Sequence, residues 1–311
     1  MKDVVIGGVK YPYLPEGREF KFVPLTHPMM QEAIKAQKEL AGDPLWPIGT
    51  VLTRDNRVLA RAGNGFNRGS QGKHICPRIV QECKSGEGYD LCALHAPEGH
   101  AERMIREEAR RLGIPTEGAD LYFFGHWWFC EPCWQEVIAA GIRDTILPEG
   151  ADRLFSKEVV YAETLRTVTT LRSAYISGAL TNLPEAEKTP QKKFYEDLAA
   201  ACGELGIKAY VPHLFTDPDK HKGMGSGAVH DMDVREVLAR DVLIAEVTYP
   251  SLGTGGELVE AEKAGRPIVL LSRSDAQVSR FALGNSAVVY HVKYQNTALA
   301  CRWLKNVLKQ L

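Results

Sequence analysis

Nowhere in its 311 residues does the chain hold an apolar run of about 18, the length that a membrane-spanning helix needs. An excess of one charge is missing too. The 38 basic and 39 acidic residues leave a formal net charge of -1, which supplies no electrostatic footprint for duplex nucleic acid and favours small substrates. The opening, Met1 to Gly8, lacks the apolar core of a signal peptide. The seven cysteines are an odd number, and five fall between Cys76 and Cys133, which suits metal ligation in a reducing compartment better than a disulfide framework. A soluble, cytoplasmic protein is expected. At this length the prior is two domains of about 150 residues each.

The densest chemistry lies between His100 and Gly141. His100-Ala101-Glu102 precedes a helix-like run, Leu121 to Phe124 reads as a strand, and Cys130-Glu131-Pro132-Cys133 opens a second helix-like run. One imidazole and two thiolates hold Zn²⁺ tetrahedrally while leaving a fourth position for water, and an acid two residues after the His reaches that water. A closed structural knuckle would need a fourth ligand nearby and has no use for Glu102. The pattern H-x-E followed by P-C-x-x-C is the signature of zinc-dependent nucleobase deaminases. One position departs from it, since Phe129 stands where that Pro is expected and Pro132 lies inside the cysteine pair.

With the run Trp134 to Ile142 that follows Cys133, the segment resembles the cytidine and deoxycytidylate deaminases. A helix from Pro28 to Ala41 and a hairpin of Ile48 to Thr53 with Arg57 to Ala62 match how that fold begins, so the resemblance extends over about residues 25 to 150. Residues 1 to 26, with Pro12, Pro15 and Pro24, read as an arm without a long helix. The resemblance implies that Glu102 is catalytic, that His100, Cys130 and Cys133 are the metal ligands, and that Asn64 in Gly63-Asn64-Gly65 contacts the substrate sugar. Asn-Gly is also an ordinary turn. The insert from Gly69 to Gly99 carries His74, Cys76, Cys83, Cys92 and His95. Its Gly86 to Cys92 stretch resembles the insert that holds a second zinc in deoxycytidylate deaminases, with Cys76, Cys83, Cys92 and His95 as ligands. Cysteines in a surface loop are the alternative, because the paired C-x-x-C spacing is absent.

Leu154 to Leu171 reads as a connector, which places the domains at 1–150 and 173–311 with residues 151–172 between them. From Ala174 onward strand and helix alternate. Tyr175 to Gly178, Ala209 to His213, Asp241 to Val247 and Pro267 to Leu271 read as strands; Pro190 to Leu205, Val234 to Ala239 and Gly255 to Ala264 read as helices. Such alternation implies a parallel sheet covered on both faces, with ligands at the carboxyl ends of its strands. The fold class is therefore α/β throughout: two three-layer α/β/α domains, a deaminase-like mixed sheet followed by a Rossmann-like parallel sheet.

Asp241 to Leu258 joins a buried strand, a Ser251-Leu252-Gly253 turn and an acid, Glu257, at the start of a helix. It resembles the 2'-deoxynucleoside 5'-phosphate N-hydrolases of the nucleoside 2-deoxyribosyltransferase superfamily, over about residues 173 to 295. The resemblance implies Glu257 as the catalytic carboxylate at the anomeric carbon and Asp233, eight residues before Asp241, as the second acid, with Asp231 a near neighbour. It further implies substrate contacts from Tyr175, Gly178, His213, Ser251 and Gly253, and from Ser279 across a homodimer. Two phosphate ligands of that family are replaced by Ala179 and Thr181, which loosens any requirement for a 5'-phosphate.

Together the halves suggest a bifunctional hydrolase of nucleotide metabolism. Zinc-dependent deamination of a dCMP-like nucleotide, with a 5-modified base as one candidate, is followed by cleavage of the N-glycosidic bond to free base and deoxyribose 5-phosphate. Two alternatives are a deaminase joined to a deoxyribosyltransferase, and a polynucleotide-editing or binding module in which Trp127, Trp128 and Trp134 stack bases. For those three rings core packing is the competing fate.

Overall fold

The computed structural model describes all residues other than 1–3, 7–8, 12, 44, 70–73, 84–86, 157, 161–169, 182 and 218. Residues 157 and 161–169 of the expected connector thus lie outside the described residues. The chain divides into two compact units, Met1–Val168 and Thr169–Leu311. Among the described residues no helix is long and apolar enough to cross a membrane.

The first unit is built on a five-stranded mixed sheet ordered β3-β7-β6-β4-β5, with β3 (Phe20–Val23), β4 (Gly49–Arg54), β5 (Arg57–Gly63), β6 (Asp120–Phe124) and β7 (Thr145–Pro148). β3, β7 and β6 run parallel, while β4 is antiparallel to both β6 and β5. Alternation along the strands sends side chains to opposite faces. Leu52, Leu121 and Phe123 join one core with helices Ala101–Arg111 and Glu131–Ala139. Val51 and Tyr122 join another, against Met30, Ala33 and Ala36 of helix Pro28–Leu40. Three α/β/α layers result. The antiparallel pair of β1 (Val4–Ile6) with β2 (Val9–Tyr11) is separate from this sheet.

The proline-bearing arm thus contains an edge strand, β3, that its composition did not announce. Phe20 is buried and packs edge-on against Phe129 and tilted against Trp134, whereas Lys21 is exposed and reaches Asp144, so four residues suffice to extend the sheet.

All strands of the second unit are parallel: β8 (Ser173–Gly178), β9 (Lys208–Tyr210), β10 (Val242–Glu246), β11 (Ile268–Arg273) and β12 (Val288–Tyr294), ordered β12-β11-β10-β8-β9. Helices Ser226–Ala239 and Leu252–Lys263 bury Val237, Leu258 and Ala261 on one face with Tyr175, Leu243 and Leu270. Ile176, Ile244, Val269 and Leu271 alternate with those strand residues and are buried on the other face. The strand order reverses between β8 and β10, and that switch point is where open parallel sheets bind ligands. The strand expected to reach His213 stops at Tyr210. Pro212, which has no N–H to give a ladder, starts a turn, and His213 begins the short helix His213–Thr216.

Candidate active sites

His100 and Cys130 are each the residue preceding a helix, Ala101–Arg111 and Glu131–Ala139. Two helix N-termini therefore meet, and their free N–H groups favour negative charge between them. His100 Nδ1 lies 3.3 Å from Cys133 Sγ and 3.7 Å from Cys130 Sγ. A tetrahedral zinc with ordinary Zn–N and Zn–S bonds separates an N and an S ligand by about 3.6 Å, so this donor set fits that ion. The His95 backbone lies near enough to the His100 ring to favour its protonated form. Hydrogen bonding from the Cys133 thiol holds Cys130 down to about 5, which gives Cys130 thiolate character, while the same contact and burial push Cys133 up.

Glu102 is buried beside this triad, and burial pushes its carboxyl up to about 7. A carboxyl near neutrality can take a proton and give it back. Above it opens a cavity of about 810 Å³ lined by His100, Glu102 and Cys130, with Trp46, Trp127 and Trp128 on its walls. The three tryptophans of the sequence analysis thus separate: Trp134 is fully buried in the core, whereas Trp127 and Trp128 face the cavity. Their loop is set by His126, whose Nδ1 lies 3.2 Å from the Trp128 N–H and whose burial lowers it to about 4.

Asn64 also lines the cavity. Its Oδ1 accepts from the Ile48 N–H at 2.9 Å and its Nδ2 donates to the Trp46 carbonyl at 2.9 Å, so the amide first of all shapes the wall. Gly65 follows at φ +63°, and a Cβ there would stand 2.7 Å from the Asp43 nitrogen, which explains the Asn-Gly pair physically.

The insert brings His74 to Cys92, with Nε2 3.2 Å from Sγ, and the ligand atoms of His74, Cys76 and Cys92 all lie within 4.8 Å of one another. This grouping differs from the expected four. His74 takes part where Cys83 and His95 were named: His95 is turned toward Asp43, with Nδ1 3.2 Å from Oδ2, and Cys83 lines the cavity, with Gly88 close to its sulfur. Spacing alone does not reveal that choice, because His74 and Cys92 are joined by chain folding rather than by a short motif.

In the second unit, Tyr175 donates to Glu257 Oε1 at 2.7 Å, and the Ser177 hydroxyl donates to Oε2. Burial raises the Glu257 carboxyl, against those two hydrogen bonds, and the Asp233 charge raises it further. Asp233 itself is pushed up to about 6 by burial, opposed by the Thr216 hydroxyl. Its neighbour Asp231 is 85% exposed and pairs with His230, so the two acids have different surroundings. Ser177 was not anticipated; its place two residues after Tyr175, on the same strand face, is the signal that could have found it.

Gly178 ends β8 opposite Glu246 and lies against the Tyr195 ring, where a Cβ would come within 2.3 Å. Ser251 caps helix Leu252–Lys263, accepting the Thr254 N–H at 3.3 Å, and Gly253 follows in the first turn. His213 is buried with Nε2 3.1 Å from Glu196, a partner other than the Glu257 group. Ser279 precedes helix Arg280–Leu283 on the surface and makes no hydrogen bond to the Glu257 group among the described residues.

Residues 25–148 match the family model of the cytidine and deoxycytidylate deaminase zinc-binding region. A Thermofilum pendens putative 2'-deoxynucleoside 5'-phosphate N-hydrolase 1 is 38% identical over 76 residues, 24% of this chain and 53% of that protein. A Danio rerio 5-hydroxymethyl-dUMP N-hydrolase is 47% identical over 82 residues, 25% of this chain and 57% of that protein. The chain thus spans about half the length of these curated relatives. Among solved structures, a Clostridium botulinum CMP N-glycosidase aligns with 42% of this chain and 94% of its own, at 20% identity and a TM-score of 0.33.

Proposed function

We propose that this chain, whose first unit carries a cytidine and deoxycytidylate deaminase zinc-binding region, is a bifunctional hydrolase that deaminates a dCMP-like nucleotide and then releases its base. The observation that carries the reading is the convergence of His100, Cys130 and Cys133 beside a buried Glu102 at the floor of one cavity. When bound there, zinc supplies the Lewis acidity that makes water reactive at neutral pH. Glu102 takes the two protons of that water in turn, passing the first to ring N3 and the second to the departing amine, so that the water's oxygen replaces ammonia at C4. Trp127 and Trp128 wall the base in.

In the second unit Glu257 attacks or stabilises the anomeric carbon, with its two oxygens oriented by Tyr175 and Ser177. Asp233 gives a proton to the leaving base. Water then completes hydrolysis to deoxyribose 5-phosphate. Deamination first has a chemical reason, since a uracil-type base departs as a better leaving group than cytosine. The relative named as a 5-hydroxymethyl-dUMP N-hydrolase supports a 5-substituted pyrimidine as one substrate. His74, Cys76 and Cys92 would hold a second, structural zinc. A homodimer through the second unit is supported by Leu252, 97% exposed and next to Ser251, and Phe281, 78% exposed and two residues after Ser279.

Ala179 and Thr181, in place of two phosphate ligands, favour one second reading: the sugar is passed to another base rather than to water. Incubation with dCMP and its 5-hydroxymethyl analogue, with and without an added second nucleobase, tests both by chromatography. Free base indicates hydrolysis and exchanged nucleotide indicates transfer, while no ammonia and no free base from any deoxynucleotide would refute the proposal.

A further inference from the structure

Two guanidinium groups line the cavity of the first unit from separate elements, Arg78 from the insert and Arg153 from the segment after β7. Arg78 ends a stack that starts at the metal ligands. The Tyr89 ring meets His100 edge-on at 6.1 Å between centroids, and Arg78 Cζ lies over that ring at 4.6 Å from its centroid. Arg78 Nε donates to the Glu87 carbonyl at 2.8 Å, which fixes the plane of the guanidinium.

Arg153 arrives by another route. β6 and β7 run parallel, so the loop with Trp127, Trp128 and Cys130 and the segment with Arg153 both leave the carboxyl end of the sheet. Phe155 is buried and packs edge-on against Phe124 at 4.9 Å, which seats that segment. The Arg153 guanidinium folds back over Gly150, with Nη2 3.3 Å from where a Cβ would stand. It is exposed and has no hydrogen bond or ion pair among the described residues. The acids beside it on the cavity wall, Asp152 and Glu158, have interactions of their own.

The ligand chemistry follows from charge. Trp127, Trp128, Phe123 and Leu94 make a neutral wall, and a cytosine base is neutral too, so neither calls for a cation. The phosphate is the anionic group of a nucleotide and sits at the end away from the atom under attack. A guanidinium offers a fork of donors that matches two phosphate oxygens, and hydrogen bonds between ions are stronger than neutral ones.

We propose that Arg78 and Arg153 form an anion clamp that takes the 5'-phosphate, so that the first unit itself distinguishes a nucleotide from its nucleoside. The proposal rests on the deaminase reading of that unit. In the zinc-loaded full chain, kcat/KM for ammonia release should be higher for dCMP than for deoxycytidine by about 10²-fold, roughly tenfold from each arginine. Arg78→Gln and Arg153→Gln should each lower that ratio about tenfold, chiefly through KM, and Arg153→Lys should keep part of it. A ratio near one in the parent, or an unchanged ratio in either Gln variant at equal zinc content, would overturn the clamp.

Binding apart from turnover is read from the His100 imidazole ¹⁵N signal, which reports occupancy of this cavity, in the zinc-loaded Glu102→Gln, Glu257→Gln double variant. Half-saturation should come at a far lower concentration of dCMP than of deoxycytidine, and adding Arg153→Gln should shrink that advantage about tenfold. A full advantage retained in that variant would overturn the proposal and leave the deaminase reading intact. No shift with either ligand would overturn both, and tighter binding of dCTP than of dCMP would overturn the assignment to a monophosphate.

Discussion

The Tyr175 hydroxyl donates to Glu257 across 2.7 Å, from the middle of β8 to a helix that starts after β10, and Ser177 holds the other carboxylate oxygen. A strand and a helix N-terminal turn thereby fix one acid at the switch point of the sheet. Placing a carboxylate in this way orients both lone-pair edges before any substrate arrives. Glu257→Gln is expected to lower base release by at least about 10³-fold, and Tyr175→Phe by roughly tenfold. Ammonia release should persist in both, as measured by coupled ammonia detection alongside chromatography of the base.

Asp233 gives a pH dependence with a definite sign. Burial pushes its carboxyl up to about 6, so below that pH it holds the proton a leaving base requires. Base release from deoxyuridylate should fall as pH rises through about 6, and Asp233→Asn should be slow and lose that limb. Stability follows the same shift. The folded-state value lies above the ordinary 3.8, so the favourable contribution is complete below 3.8 and is lost as pH rises through about 6. Urea unfolding should find Asp233→Asn more stable than the parent by roughly 1 kcal/mol at pH 7.5, after screening of a partly exposed group, and equal to it at pH 3.5.

Two zinc ions per chain are expected by elemental analysis. Cys130→Ser should remove one together with ammonia release. Cys76→Ser or His74→Ala should remove the other and lower thermal stability instead. Cys83→Ser should retain both, which separates the spatial group from the group that spacing alone suggests.

Phe129 departs from the deaminase pattern for a packing reason. Its ring is fully buried, 4.6 Å from Phe123, 5.1 Å from Trp134 and 5.2 Å from Phe20 between centroids. Phe129→Ala is expected to destabilise the first unit by about 3–5 kcal/mol, read by denaturant unfolding followed through tryptophan fluorescence.

Short-range pattern explains what was legible. The His100-x-Glu102 and Cys130-x-x-Cys133 spacings place their side chains at helix starts through local geometry, and the short, mostly buried runs of β4, β6, β8 and β10 announce strands. The choice of Asp233 over Asp231 rested on the resemblance, and the two acids have different surroundings: one beside Tyr175 and Glu257, the other in solvent. What escaped depends on long-range closure. His74 meets Cys92 across an insert, β3 acquires strand character only by pairing with β7, and β12 with the helix Thr297–Leu308 completes a sheet whose earlier strands carry the motifs. Asn64 shows the reverse, since the turn was legible but the double commitment of its amide to the wall was not.

The central claim is tested most directly by incubating the zinc-loaded chain with dCMP and counting ammonia, free uracil, free cytosine and deoxyribose 5-phosphate in one reaction. Ammonia, uracil and sugar phosphate in equal amounts, with dUMP accumulating in Glu257→Gln and no uracil from Glu102→Gln, is the predicted result. Cytosine released without ammonia, or neither base nor ammonia, would contradict it.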